Sequence, residues 1–542
     1  MMPSPTTLHR RAAHPAVALA LLLAAAAPAA AAESQLTRLI RTGDLKDTQV
    51  SAYVLDADTG QELAAIHADR PMIPASNMKL VTTIAALDVL GPQFVFTTEL
   101  GWLTAEQTAA AERPSVDGDD AAEPAPAGGA SQPEPRALPS LLVRGDGDPG
   151  FGDTKLLRTH AEDFDVEAMV ALWVNAVKKT GVKNFDAILL DDRVFDRQFV
   201  HPTWPENQLD RWYCAEVAGI NFYDNVVDVY AAPGHALGTT PRVWLFPKAP
   251  WLRTSNNAQT GRTNGFGVTR PRTANQFRFY GSVKHRLTSP VHVTVHDPPV
   301  FFAELLKDRL SDEGVEVARI ARVHADAAPP QATPLHRIRT TLPLVLERTN
   351  TDSQNLFAEA LLKRMGYQLT GDPGSWPTGA AAIRQAMQKR LGAKAATFTI
   401  ADGSGMSRDN RVTARLLGLL LHQAHHDAVA GPLLRDSLAS AGRDPEGRYD
   451  STGTFRGGDR FADLPHGVTV HGKSGYINGV SSLSGYLVIP GDDGSRPRTI
   501  VFSFLFNGFT PPLNNSRMKD VQGEMLKLVV EELTAERARV GG

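Results

Sequence analysis

Both ends of this chain read as β-structure, and the long stretch between them mixes strand and helix patterns. Near the start, SAYVLDADTG and QELAAIHADR form two strand-like runs around an Asp-Thr-Gly turn. Near the end come GVTVHGKSGY, an Asn478-Gly479 turn, SSLSGYLVIP, a GDDGS turn and RTIVFSFLFNG. Asn-Gly between apolar runs is a strong hairpin signal. Isolated hairpins are marginal in water. The two ends are therefore expected to join in one antiparallel sheet, closed by the amphipathic helix MKDVQGEMLKLVVEELTAE. That is an α/β (α+β) design, a central antiparallel sheet flanked by helices. At 542 residues the chain exceeds a single core, so the middle reads as an insertion. There SLLVRG, DVEAMVALWVNAVKK, DAILLDD, VHVTVHD and FFAELLKDRLSDEG alternate strand and helix patterns. A helical zone then starts near Leu342 with NLFAEALLKRMG, AAAIRQAMQKRLG and VTARLLGLLLHQAHH. The expected organisation is a discontinuous domain from 33–95 and 342–542, with one or two smaller domains inserted over 96–341. Within the insertion, about 112–139 turns to Pro, Ala, Gly, Asp and Glu and reads as a disordered loop.

The hydrophobic content of 42% and charged content of 21% are those of a soluble globular protein. A net charge of -3 gives no broad attraction to nucleic acid or anionic lipid. His9, Arg10 and Arg11 precede the apolar run AVALALLLAAAA and a stretch of alanines. This is the pattern of a signal peptide over 1–32, cut after Ala32. The run is short for a membrane span, and no later segment supplies a transmembrane anchor. The single cysteine, Cys214, rules out an intramolecular disulfide and lies far from any lipidated N-terminus. Export is expected, to the periplasm of a Gram-negative bacterium, with release to the medium as the open alternative. The sequence leaves oligomeric state and weak peripheral membrane association open.

PASNMK places Ser76 three residues before Lys79, at the start of an apolar helix that stops at Gly91-Pro92. One turn apart, the two share a face. An N-cap serine beside a surface lysine explains the pair. So does a hydroxyl nucleophile beside an amine whose basicity is tuned by burial or a nearby cation. A second lysine, Lys473, lies in VTVHGKSGY, where Gly475 leaves room for a substrate backbone and Ser474 can donate to a carboxylate. Ser353-Gln354-Asn355 precedes another helix, with a hydroxyl to relay a proton and an amide to orient one. Each motif has decoys: Ser516/Lys519 at the last helix, Ser255-Asn256-Asn257 in a polar stretch, and Lys179-Thr180-Gly181 at a helix end. Only Ser76, Ser353 and Lys473 give the order S-x-x-K, S-x-N, K-[ST]-G on helix start, helix-flanking loop and strand.

That ordered set is the signature of serine beta-lactamases and penicillin-binding proteins. The chain between Ser76 and Ser353 is far longer than a plain beta-lactamase needs. GDGDPGFG, LLDDRVF and ADGSGMSRDN narrow the likeness further. The sequence resembles the class C low-molecular-mass penicillin-binding proteins, the D-alanyl-D-alanine carboxypeptidase/endopeptidases of peptidase family S13, with K-S-G in place of the commoner K-T-G. The resemblance implies a beta-lactamase/transpeptidase-like fold and, as partners, peptidoglycan stem peptides, with beta-lactam antibiotics as covalent inhibitors. It implies Ser76 as nucleophile, Lys79 as base and Ser353 as proton relay to the leaving amine. Lys473 would keep the site electropositive. Asn355 would hold the peptide amide, and Lys473, Ser474 and Gly475 the terminal carboxylate end. The oxyanion donors would be the backbone N–H groups of Ser76 and Tyr476. Met406 and Arg408 would border the pocket for the donor side chain, and Asp191 would meet an amino group on it. Neither metal nor other cofactor enters.

Three rivals stay open on sequence alone. His422, His425 and His426 lie on one helix in LLHQAHHD, but no H-E-x-x-H occurs, and a solvated helix face accounts for them. A beta-lactamase or esterase on the same scaffold shares the acylation step. A non-catalytic peptidoglycan-binding protein could keep the scaffold alone.

Overall fold

β1 (Gln49–Asp56) and β2 (Glu62–Ile66) turn back on each other where the sequence reads Asp-Thr-Gly. The Asp56 carboxylate accepts from the backbone N–H groups of Asp58 and Thr59 at 3.1 and 2.9 Å. Gly60 takes the left-handed conformation that closes the turn, at φ 72°. The structure is a computed structural model that describes residues 33–41, 45, 47–113, 138–491 and 495–541. The expected signal peptide over 1–32 and nearly all of the loop expected over 112–139 lie outside these residues.

Along the chain follow α1 (Met78–Val89), β3 (Val95–Leu103), β4 (Ser140–Gly145), α2 (Val166–Lys178) and β5 (Asn184–Asp191). Next come α3 (Pro298–Asp312), β6 (Glu316–Arg322), β7 (Thr333–Thr341), α4 (Leu342–Asn350), α5 (Asn355–Thr370), α6 (Trp376–Leu391) and α7 (Ala414–His426). The last elements are β8 (Ala439–Arg443), β9 (Tyr449–Ser451), β10 (Thr469–Ile477), β11 (Val480–Ile489), β12 (Arg498–Asn507) and α8 (Asn515–Gly541). These elements fall into two compact units.

The first unit comprises Met1–Pro74, Val412–His425 and Ala439–Gly542. It holds a seven-stranded sheet in the order β9-β8-β10-β11-β12-β1-β2, antiparallel throughout. The two chain ends meet where β1 pairs β12, from Gln49↔Asn507 to Asp56↔Ile500. The Asn478-Gly479 turn joins β10 to β11, with Gly479 at φ 73°. Alternation places Val50, Ala52 and Val54 with Phe502, Phe504 and Phe506 in a core that also takes Met518, Val521, Met525 and Val529 of α8. Each such side chain, once fully buried, stabilises the fold by about 1.5–3 kcal/mol. Against the same sheet, Gly418 of α7 lies so close to the Tyr53 ring that a Cβ there would come within 2.3 Å of it. The Tyr486 hydroxyl donates to the Leu421 carbonyl at 2.8 Å.

The second unit comprises Ala75–Arg411 and His426–Leu438. Its largest sheet runs β6-β5-β4-β3-β7, parallel at β4/β5 and β5/β6 and antiparallel at β3. Its core gathers Val170, Trp173 and Val177 of α2 and Phe302, Leu306 and Leu310 of α3 with Val143 and Ile188 of the sheet. Asp165 caps α2, accepting from the Ala168 N–H at 2.9 Å. Lys179-Thr180-Gly181 ends it, with Gly181 at φ 76°, the local reading that removes this K-T-G from the active-site candidates. The stretch containing Ser255-Asn256-Asn257, read as merely polar, is a short strand, Arg253–Asn256, paired in parallel with Gln276–Tyr280. Helix α1 is largely apolar and buried nearly all round, and α5 is buried from Asn355 to Gly366 with Glu359, Lys363 and Arg364 among its enclosed side chains.

Candidate active site

In the second unit, Ser76 does not begin α1, as its spacing predicts. It sits in a single 3₁₀ turn, Ala75–Asn77, directly ahead of the helix. The non-glycine Ala75 is held left-handed at φ 45°, a conformation that persists only where the surroundings impose it. Gly405 supplies part of that constraint, because a Cβ on it would lie 1.8 Å from the Ala75 carbonyl oxygen. The turn brings the Ser76 hydroxyl to 3.1 Å from Lys79 Nζ.

Lys79 is completely buried. Its Nζ also donates to Asn355 Oδ1 at 2.6 Å and to the Ser404 carbonyl at 2.9 Å. These three acceptors use all three protons of an ammonium. Burial pushes its pKa from 10.5 down to about 7, while the buried carboxylates of Glu359 and Asp402 pull the other way. An amine at that balance is neutral often enough at physiological pH to take a proton from the hydroxyl it touches.

Asn355 opens α5, and its Nδ2 donates to the Tyr213 carbonyl at 2.7 Å. Its amide therefore fixes the lysine. Ser353, two residues earlier, is half-buried and left-handed at φ 60°. In ADGSGMSRDN, Met406 is half-buried with its N–H on Ser404 Oγ at 3.3 Å, and Arg408 is exposed. Asp191 ends β5, where Arg193 and Arg144 hold its two carboxylate oxygens at 2.7 and 3.3 Å. It lines a cleft with Thr97, Glu99, Asp146 and Tyr367.

Two acids that sequence reasoning missed organise this cluster. Glu359 is fully buried and accepts from the N–H groups of Gly403 and Ser404 at 3.0 and 2.7 Å and from Trp376 Nε1 at 2.8 Å. Burial and the neighbouring Asp402 raise its pKa to about 7. Asp402 accepts from Trp204 Nε1, Asn410 Nδ2 and the N–H groups of Gly405 and Ser407 at 2.6–2.9 Å. Together they fix the loop whose Ser404 carbonyl holds Lys79. The signal for Glu359 lay in NLFAEALL, an acid within an otherwise apolar run. Glu359→Ala leaves three buried donors without an acceptor, so unfolding should show a loss of about 3–5 kcal/mol. An unchanged unfolding free energy would remove Glu359 from this role.

In the first unit, Lys473 is buried in the middle of β10, and its Nζ donates to the Ser474 carbonyl at 2.7 Å. Ser474 is half-buried, Gly475 buried and Tyr476 52% exposed. The partner strand β8 ends at Ala439, opposite Gly472, whereas β11 continues to Val480, opposite Ile477. Lys473–Ile477 thus has a ladder partner on one side only among the described strands. An extended peptide can add to such an edge through backbone hydrogen bonds.

The remaining candidates resolve locally. Ser516 lies in the first turn of α8, and the Lys519 carbonyl accepts from Arg460 Nε at 3.2 Å. Of the three histidines of α7, only His426 is exposed. His422 packs by Gly60, and His425 lies beside the Tyr486 ring and 3.7 Å from Asp58. The solvated face expected for them therefore holds for His426 alone. Among the described residues, no group of three His, Cys, Asp or Glu side chains is arranged to hold a metal, and no helix is long and apolar enough to cross a membrane. Cys214 is buried, and burial pushes its thiol up to about 12.

An antiparallel sheet with α8 and α7 against it, and a serine–lysine pair ahead of a buried helix, define the beta-lactamase/transpeptidase-like α/β class. Residues 32–113 and 130–531 match the family described as the D-Ala-D-Ala carboxypeptidase 3 (S13) family, and the chain belongs to it. It is 31% identical over 526 residues to the D-alanyl-D-alanine carboxypeptidase of an Actinomadura species, covering 92% of this chain and 86% of the relative. It is 23% identical over 494 residues to the D-alanyl-D-alanine carboxypeptidase DacB of Haemophilus influenzae, covering 88% of each. The crystal structure of penicillin binding protein 4 from Haemophilus influenzae shares the fold. Its TM-score is 0.69 at 20% identity, over 92% of this chain and 99% of that one.

Proposed function

We propose that this chain is a serine D,D-peptidase of peptidoglycan. It removes the terminal D-alanine from D-Ala-D-Ala stem peptides as a carboxypeptidase. It also cuts D-Ala-meso-diaminopimelate crosslinks as an endopeptidase. The observation that carries the reading is the buried amine of Lys79, poised near neutrality 3.1 Å from the Ser76 hydroxyl. Family membership and the 31% identity to a D-alanyl-D-alanine carboxypeptidase support the substrate class.

In this scheme Ser76 Oγ attacks the carbonyl carbon of the penultimate D-alanine, and its proton passes to Lys79 Nζ. The oxyanion is received by the backbone N–H groups of Ser76 and Tyr476, each worth about 3 kcal/mol to the transition state. The C–N bond then breaks, Ser353 passes a proton to the leaving amine, and Lys473 keeps that relay electropositive. Water attacks the acyl ester, releases the shortened peptide and restores the serine hydroxyl. Lys473, Ser474 and Gly475 receive the terminal carboxylate end on the open side of β10, and Asn355 holds the peptide amide. Met406 and Arg408 border the donor side chain, and Asp191 meets an amino group on it. The residues 33–95 and 342–542 act as the transpeptidase-like domain, with 96–341 as the insertion. The leader over 1–32 would send the protein to the periplasm, where the crosslinked substrate lies.

Beta-lactams present a strained amide and a carboxylate to the same groups. A related structure of the Haemophilus influenzae protein is described as a complex with a novel beta-lactam. Intact-mass analysis after benzylpenicillin, followed by peptide mapping, should find one penicilloyl group, on Ser76, surviving long enough to be isolated. A label elsewhere would overturn the assignment. Rapid turnover of the drug would move the activity to a beta-lactamase, and failure to release D-alanine from a pentapeptide would leave only a binding protein.

A further inference from the structure

Arg460 reaches this strand with hydrogen-bond partners that are all neutral. It comes from the segment between β9 and β10. Its Nη1 donates to Ser474 Oγ at 3.2 Å, its Nε to the Lys519 carbonyl at 3.2 Å, and its Nη2 to Gln522 Oε1. The guanidinium packs over the rings of Phe461 and Phe455, 5.0 and 5.9 Å from their centroids. Three more deeply buried arginines pair with carboxylates, Arg270 with Glu216, Arg348 with Asp153 and Arg364 with Asp146, while Arg443 rests on the Ala462 and Gly447 carbonyls. Among the described residues, no carboxylate lies within ion-pair distance of Arg460. Burial presses its pKa down to about 9, with Asp520 and Tyr449 pulling weakly the other way, so it stays charged at neutral pH. Its field, after burial, also lowers the pKa of Lys519. A half-buried cation with no carboxylate in direct contact is incompletely compensated. An anion arriving at Ser474 would complete that compensation.

The hydrogen-bond roles say where the anion goes. A guanidinium only donates, so the Ser474 oxygen accepts from it, and the hydroxyl proton must point to some other acceptor. Ser474 lies on the stretch of β10 that has lost its β8 partner, where an incoming peptide end would sit.

We propose that Arg460 is a specificity-determining positioning residue. Through Ser474 it orients one hydroxyl proton and supplies the positive charge that selects substrates ending in a free carboxylate. The inference rests on the serine D,D-peptidase reading and adds to it the residue that enforces carboxypeptidase selectivity.

The test compares acylation of the full chain by benzylpenicillin and by its methyl ester, which lacks the anion. The unmodified protein should react with the acid at least about 10-fold faster, since a charge-assisted hydrogen bond is lost in the ester. In Arg460→Gln, the rate constant with the acid should fall about 10- to 100-fold. The rate with the ester should stay within about twofold, bringing the two rates together. Arg460→Lys should restore most of the preference. A merely structural arginine would lower both rates alike, and that outcome, or no change in either, overturns the proposal. Should Arg460→Gln fail to fold, equal rates with acid and ester in the unmodified protein would overturn it alone. Absence of any adduct on Ser76 in the unmodified protein would instead sink the peptidase reading.

Discussion

Replacing Ser76 with alanine should leave a folded protein that forms no penicilloyl adduct and releases D-alanine at a rate lower by a factor on the order of 10^6. The structure makes this a clean experiment. The hydroxyl's contact with Lys79 is one of three that hold the amine, and Asn355 Oδ1 and the Ser404 carbonyl remain. Losing one such hydrogen bond costs about 1 kcal/mol, so the thermal midpoint should move by only a few degrees. Mass spectrometry reads the first expectation and pentapeptide hydrolysis the second. An adduct persisting in Ser76→Ala would place the nucleophile elsewhere.

Lys79→Met is the second large effect. Methionine fills much of the lysine's volume without a base, and acylation by benzylpenicillin should fall by about 10^2- to 10^4-fold. Lys79→Arg should do the same, because a guanidinium keeps its proton. The pH dependence separates loss of a base from misfolding. With the folded amine at about 7, the neutral base accumulates as pH rises. The acylation rate of the unmodified protein should therefore climb nearly tenfold per pH unit below about 7 and level off above it. Neither variant should show that rise. The same shift has a sign for stability. The unfolded lysine binds its proton up to its ordinary value, while the folded one releases it near 7. This group therefore makes folding less favourable at pH 7 than at pH 10, and its contribution improves as pH climbs between the two values. A rate profile flat from pH 5 to 8 would argue against Lys79 as base.

How far the sequence discloses all this depends on whether the cause is local. The seven-stranded sheet was legible because period-two runs and Asn478-Gly479 are local signals, and because strand-like runs at both ends lacked other partners. Arg253–Asn256 was not, since only pairing with Gln276–Tyr280, well along the chain, makes a strand of so polar a segment. Motif order set Ser76, Lys79, Ser353 and Lys473 apart from their decoys, and within the second unit the structure brings Ser76 to Lys79. The 3₁₀ turn at Ser76 escaped motif order because part of the constraint comes from Gly405, remote in sequence. Glu359 and Asp402 escaped it because acids default to the surface, and their burial depends on donors from Trp204, Trp376 and a loop backbone. Arg460 belongs to no motif. Only its contact with Ser474, made without an ion pair among the described residues, marks it.

The pairing of β1 with β12 also dictates a timetable. The hairpin made early in synthesis cannot acquire its neighbour until Arg498–Asn507 has left the ribosome, and until then its open margin is an invitation to the wrong strand. Deleting everything after Pro490 should thus leave β1 and β2 as open to proteolysis as an unfolded tail. Until Arg498–Asn507 emerges, that hairpin stays a target for mispairing.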